Sequence, residues 1–360
     1  MDHGWRSKTI LIVWLFNVYG VRPAVWFGYV TGGLLCIPAF VLMFLPYVTG
    51  DWHSSNMTWS IGSGGGLALV LVWLYFMCWS AYGIEVVATF APEFHDTETD
   101  TPKALRSSAL FCAAVYALLP LGLGGTLGTN AVSKDATFIA FYSDAFNSIV
   151  GSALGKVMIL CIVAGLVLSM NTATMDGSRA LFGISRDGMT IRQLGTLNRF
   201  HVPALAMTID AILNLLLITR YGSPLQILAV SNVGYVFATF TALSAFVLLR
   251  RDRPNWPRPV RLPNWYVPLG ALLAGINLVL LIFGGFIYSG GFLGIKGYGY
   301  GWDKTRVGLV VLLAAFLLYL WRHLVQDKIP LRLREEVPQT PEDELRHPEF
   351  RVAPDAVPSS

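Results

Sequence analysis

The sequence predicts an all-α integral membrane protein of about nine transmembrane helices, and three observations carry that prediction. Hydrophobic residues make up 54% of the 360 and charged residues only 13%, about half the share usual in globular proteins, with a mean hydropathy of +0.56. Apolar runs approaching or exceeding the ~20 residues that a helix needs to cross the hydrocarbon core recur along the chain between short basic loops. The 35 glycines and 11 tryptophans suit helices that approach closely in lipid and anchor at its interfaces. An ordinary soluble enzyme is excluded.

Taken in order, the apolar runs are 9–20, 24–48, 67–92, 106–128, 152–181, 203–219, 225–249, 266–288 and 307–325. The first is short and comes after Arg6 and Lys8, so it reads as an interfacial start or a helix completed by the polar residues before it. Between runs, twelve basic residues fall on one side: Arg22; Lys103 and Arg106; four arginines from Arg179 to Arg199; and five from Arg250 to Arg261. The opposite loops hold five, or seven with Arg6 and Lys8. The positive-inside rule then puts the first set and the C-terminus in the cytoplasm and the N-terminus outside, as an odd number of spans requires. Residues 1–327 form the transmembrane domain in this reading. Residues 328–360, with 5 Lys/Arg against 7 Asp/Glu and several prolines, cannot bury a core and are expected to be a flexible cytoplasmic tail.

The four cysteines, Cys36, Cys78, Cys112 and Cys161, sit inside apolar runs at wide spacings and read as small buried hydrophobes rather than a disulfide or thiolate framework. No phosphate-cradling loop, clustered Cys/His or nucleophile elbow is present, so neither a cofactor nor a metal is expected. Basic residues cluster in loops between spans and do not line one solvated face, which argues against a nucleic-acid partner. Membrane lipid is the expected surrounding.

The third run holds the most informative string, Trp79-Ser80-Ala81-Tyr82-Gly83-Ile84-Glu85, with Ala91-Pro92-Glu93 and Asp100-Thr101-Pro102 after it. An ionisable side chain such as Glu85 within an apolar span costs about 2.5 kcal/mol or more and normally faces protein or a water-filled cavity. Gly83 beside it lets the helix unwind, and unwound backbone at membrane depth survives only where it is buried or lines a cavity. Freed peptide groups and two half-helix ends would then offer a surface for a zwitterion. The plainer alternative is that Gly83 permits close helix packing and Glu85 pairs with a neighbouring helix. Asp176, close to Arg179, reads as an inner gate or a helix-end charge pair, and Asp210 is expected to pair with a basic loop residue near the interface. These residues alone leave open a non-transporting scaffold subunit or a membrane enzyme.

The pattern W-S-x-x-G-x-E, then A-P-E and D-T-P-x-A, resembles the sixth helix and the loop after it in the amino acid, polyamine and organocation (APC) transporter superfamily. Ser178-Arg179 and Ser185-Arg186-Asp187-Gly188, with Pro203 beyond, resemble the end of its eighth helix. Asn17-Val18-Tyr19-Gly20-Val21-Arg22 resembles the junction of its fourth and fifth helices. The resemblance implies an APC-type five-plus-five inverted-repeat fold of which this sequence holds helices 4–12, N-terminally incomplete, with no counterpart of the glycine-rich break in the family's first helix. It implies a secondary active permease, not an enzyme, that moves an amino acid or related amine across the cytoplasmic membrane by alternating access. By itself the chain is expected to transport poorly.

Carried over by position, Trp79, Ser80, Ala81, Tyr82, Gly83 and Ile84 are expected to bind substrate, with Met170, Asn171 and Ala173 lining the pocket. For Asn171 a helix-to-helix hydrogen bond is the equal alternative. Glu85, Asp176 and Arg179 are expected to carry a proton or form a gate. Leu35 falls where some members have a lysine on the fifth helix, which leaves Glu85 as the protonatable group and coupling to sodium through Ser169 and Thr172 still open.

Overall fold

The computed structural model describes residues 3–57, 66–81, 83–91, 94–128, 140–221, 224–258, 260–292 and 301–329. These are helices joined by short turns: α1 His3–Val18, α2 Val21–Thr49, α3 Gly66–Ala81, α4 Val86–Thr89, α5 Thr97–Leu127, α6 Ala140–Arg186, α7 Ala204–Arg220, α8 Pro224–Asp252, α9 Tyr266–Val279 and α10 Trp302–Trp321. α9 continues as a π-helix over Leu280–Ser289, and α10 does so over Arg322–Gln326. Among the described residues six helices are long and apolar enough to cross a membrane: Ala24–Thr49, Thr97–Leu127, Phe141–Arg186, Gln226–Asp252, Tyr266–Ser289 and Trp302–Gln326. This is a multi-pass integral membrane protein.

Three expected spans differ from their predicted form. At 9–20, 67–92 and 203–219 the α-helices are 16, 16 and 17 residues long. At 1.5 Å per residue each reaches only about 24–26 Å against a hydrocarbon core of about 30 Å. The run at 67–92 is two helices, because the chain leaves helical geometry between Ala81 and Val86. Conversely, the run at 152–181 belongs to a longer element, α6, which bends at Gly151 (φ 79°, ψ 165°) and ends only at Arg186. Most of the tail predicted from residue 328 onward lies outside the described residues.

The chain divides into two compact units. The first comprises Met1–Ile61, Ile84–Arg179 and Leu197–Leu215. Its core gathers Leu42 of α2, Leu123 of α5, and Ala145, Phe146, Ile149 and Met158 of α6. α2 and α5 meet where Gly122 leaves no room: a β-carbon there would lie 1.9 Å from the Leu42 carbonyl oxygen. The loop after α2 folds back on the same glycine-rich end. The Trp52 indole donates to the Leu121 carbonyl (2.9 Å), and the Asn56 amide to that of Gly125 (2.8 Å).

The second unit comprises Gly62–Gly83, Ala180–Thr196 and Leu216–Ser360. Val72, Tyr75, Phe76 and Cys78 of α3 bury against Ala229, Val233 and Val236 of α8 and Leu280 and Leu281 of the π-helix. Asn232 of α8 donates its amide to the Tyr75 carbonyl at 2.5 Å. The end of α6 closes on Gly188 (φ 76°), with Met189 N–H to Ile184 O and Gly188 N–H to Ser185 O, the paired bonds by which a left-handed glycine satisfies the last carbonyls of a helix. Ser185 donates its hydroxyl to Ile191 O (2.7 Å), so the Ser-Arg-Asp-Gly string builds a defined loop. All four cysteines are free thiols, two of them buried.

Arg322, 5% exposed just past the end of α10, holds that loop. It donates to the Ser185 and Thr190 carbonyls and pairs with Asp327 at 2.6 Å, while Arg192 of the loop reaches the same carboxylate at 2.7 Å. Burial alone would raise the Asp327 carboxyl, but the hydrogen bonds from Arg322 and Arg192 outweigh it and hold the group below the usual carboxylate range. The unfolded chain therefore takes up this proton at higher pH than the folded one. The stabilisation is fully present above the ordinary aspartate pKa of about 3.9 and is lost as pH falls through the lowered folded value.

Thermal stability of the detergent-solubilised protein should accordingly fall on acidification below about pH 4, and Asp327→Asn should remove part of that pH dependence while lowering stability at neutral pH. Gly122→Ala should cost about 1–3 kcal/mol by thermal or SDS unfolding, whereas Gly33→Ala, where a β-carbon meets nothing within 4 Å, should cost nothing.

Candidate functional site

α3 is an uninterrupted apolar helix up to Ala81, and there the chain turns. Gly83 has φ +116°, a conformation that an L side chain adopts only under strain, so the glycine is a backbone requirement here. Ile84 and Glu85 form a turn, and α4 restarts with Ala88 N–H to Glu85 O (2.8 Å) and Val87 N–H to Ile84 O (3.4 Å). Glu85 is exposed at the start of α4. Before the break, Trp79 is 55% exposed and Ser80 returns its hydroxyl to the Met77 carbonyl at 2.8 Å. Tyr82 lies outside the described residues, as do Pro92 and Glu93.

Among the described residues, Thr89 and Phe90 fasten the short helix after the break to α6. The Thr89 hydroxyl lies 2.9 Å from Asp176 Oδ1 and 2.8 Å from its own helix's Val86 carbonyl, so its single proton serves one acceptor at a time. The Arg179 guanidinium sits 4.6 Å from the centre of the Phe90 ring and donates to Met175 O at 3.1 Å. Asp176 feels the like charges of Glu85 and Asp210 and the opposite charge of Arg179. Asp176 and Arg179, the sequence candidates for a gate, are thus the two α6 residues that hold the restarted helix. Thr89 and Phe90 are their partners, and nothing in the sequence pattern marks either.

Asp210 departs from expectation. Among the described residues no ion pair holds it; its carboxylate lies against Gly177 of α6, within 3.6 Å of where a β-carbon would be. The nearby loop cation Arg199 stacks instead on Phe200 at 4.7 Å.

Asn171, 2% exposed, joins three helices. Its Oδ1 accepts from Asn17 of α1 at 2.8 Å, and its Nδ2 donates to the Ala24 carbonyl of α2 at 3.1 Å. On the same helix Met170 is half-buried and Ala173 exposed. Leu35 rests its tip against Gly165 and lines a cavity of about 180 Å³ together with Pro38, Leu42, Tyr142 and Ser169. Among the residues lining that cavity none is charged.

A double-mutant cycle between Thr89→Val and Asp176→Asn should give a coupling of about 0.6 kcal/mol in unfolding free energy, the average for such a bond in a membrane protein. No coupling between the two would remove the fastening.

The amino acid permease family has a model that matches residues 9–294. The chain is 25% identical over 211 residues to a D-serine/D-alanine/glycine transporter of Escherichia coli, an alignment that takes in 56% of this chain and 43% of that protein. It is 26% identical over 265 residues to a polyamine transporter of Oryza sativa, covering 70% and 46%. Against a branched-chain amino acid permease of Bacillus subtilis the identity is 26% over 263 residues, covering 69% and 51%. The chain spans about half the length of these curated relatives. With six helices long and apolar enough to cross a membrane among the described residues, and a family match over most of its length, the chain belongs to the amino acid permease family.

Proposed function

We propose that this protein is a secondary active transporter that moves an amino acid or related amine across the cytoplasmic membrane by alternating access, coupled to a proton or another cation. The observation that carries the reading is the helix interruption at Gly83, with an acidic side chain two residues on. Such a break exposes peptide groups of both signs, suited to a substrate with a carboxylate and an ammonium. The cargoes named for the three relatives, small amino acids, branched-chain amino acids and polyamines, share an ammonium group. A carboxylate is its natural counter-charge.

In this reading the backbone of Ala81, Tyr82, Gly83 and Ile84 engages the substrate, with Trp79 and Ser80 beside it and Met170 and Ala173 as further lining residues. Asn171, its amide engaged with Asn17 and Ala24, braces helices. Glu85 carries the proton, and Asp176 with Arg179 gates the inner side. The charge bias of the loops supports a cytoplasmic C-terminus.

The test is a thermal-shift panel of amino acids and polyamines on the purified protein. A ligand at about a hundred times its Kd adds about 2.7 kcal/mol of stability. At least one compound should raise the unfolding midpoint by a few degrees; Glu85→Gln should abolish that shift while leaving the unliganded midpoint in place, and Gly83→Leu, strained at φ +116°, should abolish it while also lowering the unliganded midpoint. A scaffold role predicts no response in any form. Equal responses in both variants would sink the proposal.

A further inference from the structure

The segment joining α8 to α9 carries five arginines, at 250, 251, 253, 258 and 261, against one acid, Asp252. It joins two membrane-crossing helices, so it lies at a membrane face whatever the topology. Two of the arginines are spent on the loop itself. Arg258 donates to the carbonyls of Leu249 (3.2 Å) in the last turn of α8 and of Arg253 (2.6 Å) and Pro254 (3.3 Å) just past it, and Arg250 donates to that of Leu262 at 2.9 Å. Prolines at 254, 257 and 263 stiffen the path between them.

Of the other three, two are exposed and Arg253 is half-buried. The Arg251 side chain is 72% exposed, with Asp252 on one edge at 2.6 Å; Arg261 is exposed; and Arg253 stacks on Trp256 at 4.6 Å. Trp265, 58% exposed, packs on Tyr266 at a ring distance of 4.0 Å. Tryptophan and tyrosine settle at the headgroup level, which puts these three guanidiniums where lipid phosphates lie. Clustered basic residues immediately beyond a spanning helix attract anionic headgroups, and a guanidinium fork matches a phosphodiester in two places.

We propose that the α8–α9 loop is a docking surface for anionic phospholipid headgroups, with Arg251, Arg253 and Arg261 on the phosphate and the aromatic residues fixing the depth. The inference does not depend on the transported substrate.

The full chain in non-ionic detergent is offered equal amounts of dioleoylphosphatidylglycerol and dioleoylphosphatidylcholine, and bound lipids are counted by native mass spectrometry. The protein should prefer phosphatidylglycerol by about tenfold or more, given about fivefold per arginine. R251Q/R253Q/R261Q should bring the ratio to unity, R251K/R253K/R261K should keep most of it, and R220Q/R306Q, at other helix ends, should leave it unchanged. Excess inorganic phosphate should not displace the lipid. No preference in the unmodified protein would overturn the proposal. So would a preference that survives the glutamine triple, is lost equally in the lysine triple, or falls as far in the R220Q/R306Q control. Displacement by phosphate would mark a soluble-anion site instead and overturn it too.

Discussion

Peptide groups inside a bilayer have no water to turn to, so a spanning helix can stop only where the protein supplies new partners for its backbone. On the proposed transport reading, the stretch from Trp79 to Phe90 answers to that constraint. Gly83 lets the chain turn at φ +116°, and α4 beyond it is a single turn of helix that has no length of its own to be stable. Its place is set from α6, by Asp176 on Thr89 and Arg179 on Phe90. The break and its fastening are one device: without the second, the first would be a defect.

The rest of the first unit serves to hold α6 still. Asn171 ties it to α1 and α2, and Leu35 seats against its bare backbone at Gly165. Polar braces of this kind suit lipid, where apolar contact gives no advantage over the tails themselves and close approach or a hydrogen bond must do the holding. In the second unit the same logic recurs at Asn232 on the Tyr75 carbonyl. Arg322 there gathers two loop carbonyls and a carboxylate around one buried charge.

Much of this is legible in the sequence. The membrane class and the position of the break emerge from apolar runs interrupted by glycine and charge, and the same pattern singles out Asp176 and Arg179 as charges to look at. The features that escape do so for physical reasons. Threonine and phenylalanine on an apolar stretch carry no signal, so Thr89 and Phe90 emerge only from contacts made 87 and more residues away. The first part of α6 is too polar around Ser143-Asp144 to register as a span, and its bend at Gly151 hides its continuity. Charge in lipid is normally paired, which points Asp210 to a cation, but the loop's Arg199 stacks on an aromatic ring instead. For Asn171 the sequence leaves a pocket role and a helix-to-helix bond equally open, and it cannot name the partner, Asn17, because that lies 154 residues away.

The central claim, a helix that stops and restarts, is read most directly by spin-label accessibility scanned residue by residue over 72–91 in nanodiscs. Accessibility should keep a 3.6-residue period through Ala81, lose phase over Gly83 to Glu85, and resume in a new phase across Val86 to Thr89. One unbroken phase from Val72 to Phe90 would mean a continuous helix and would contradict the account.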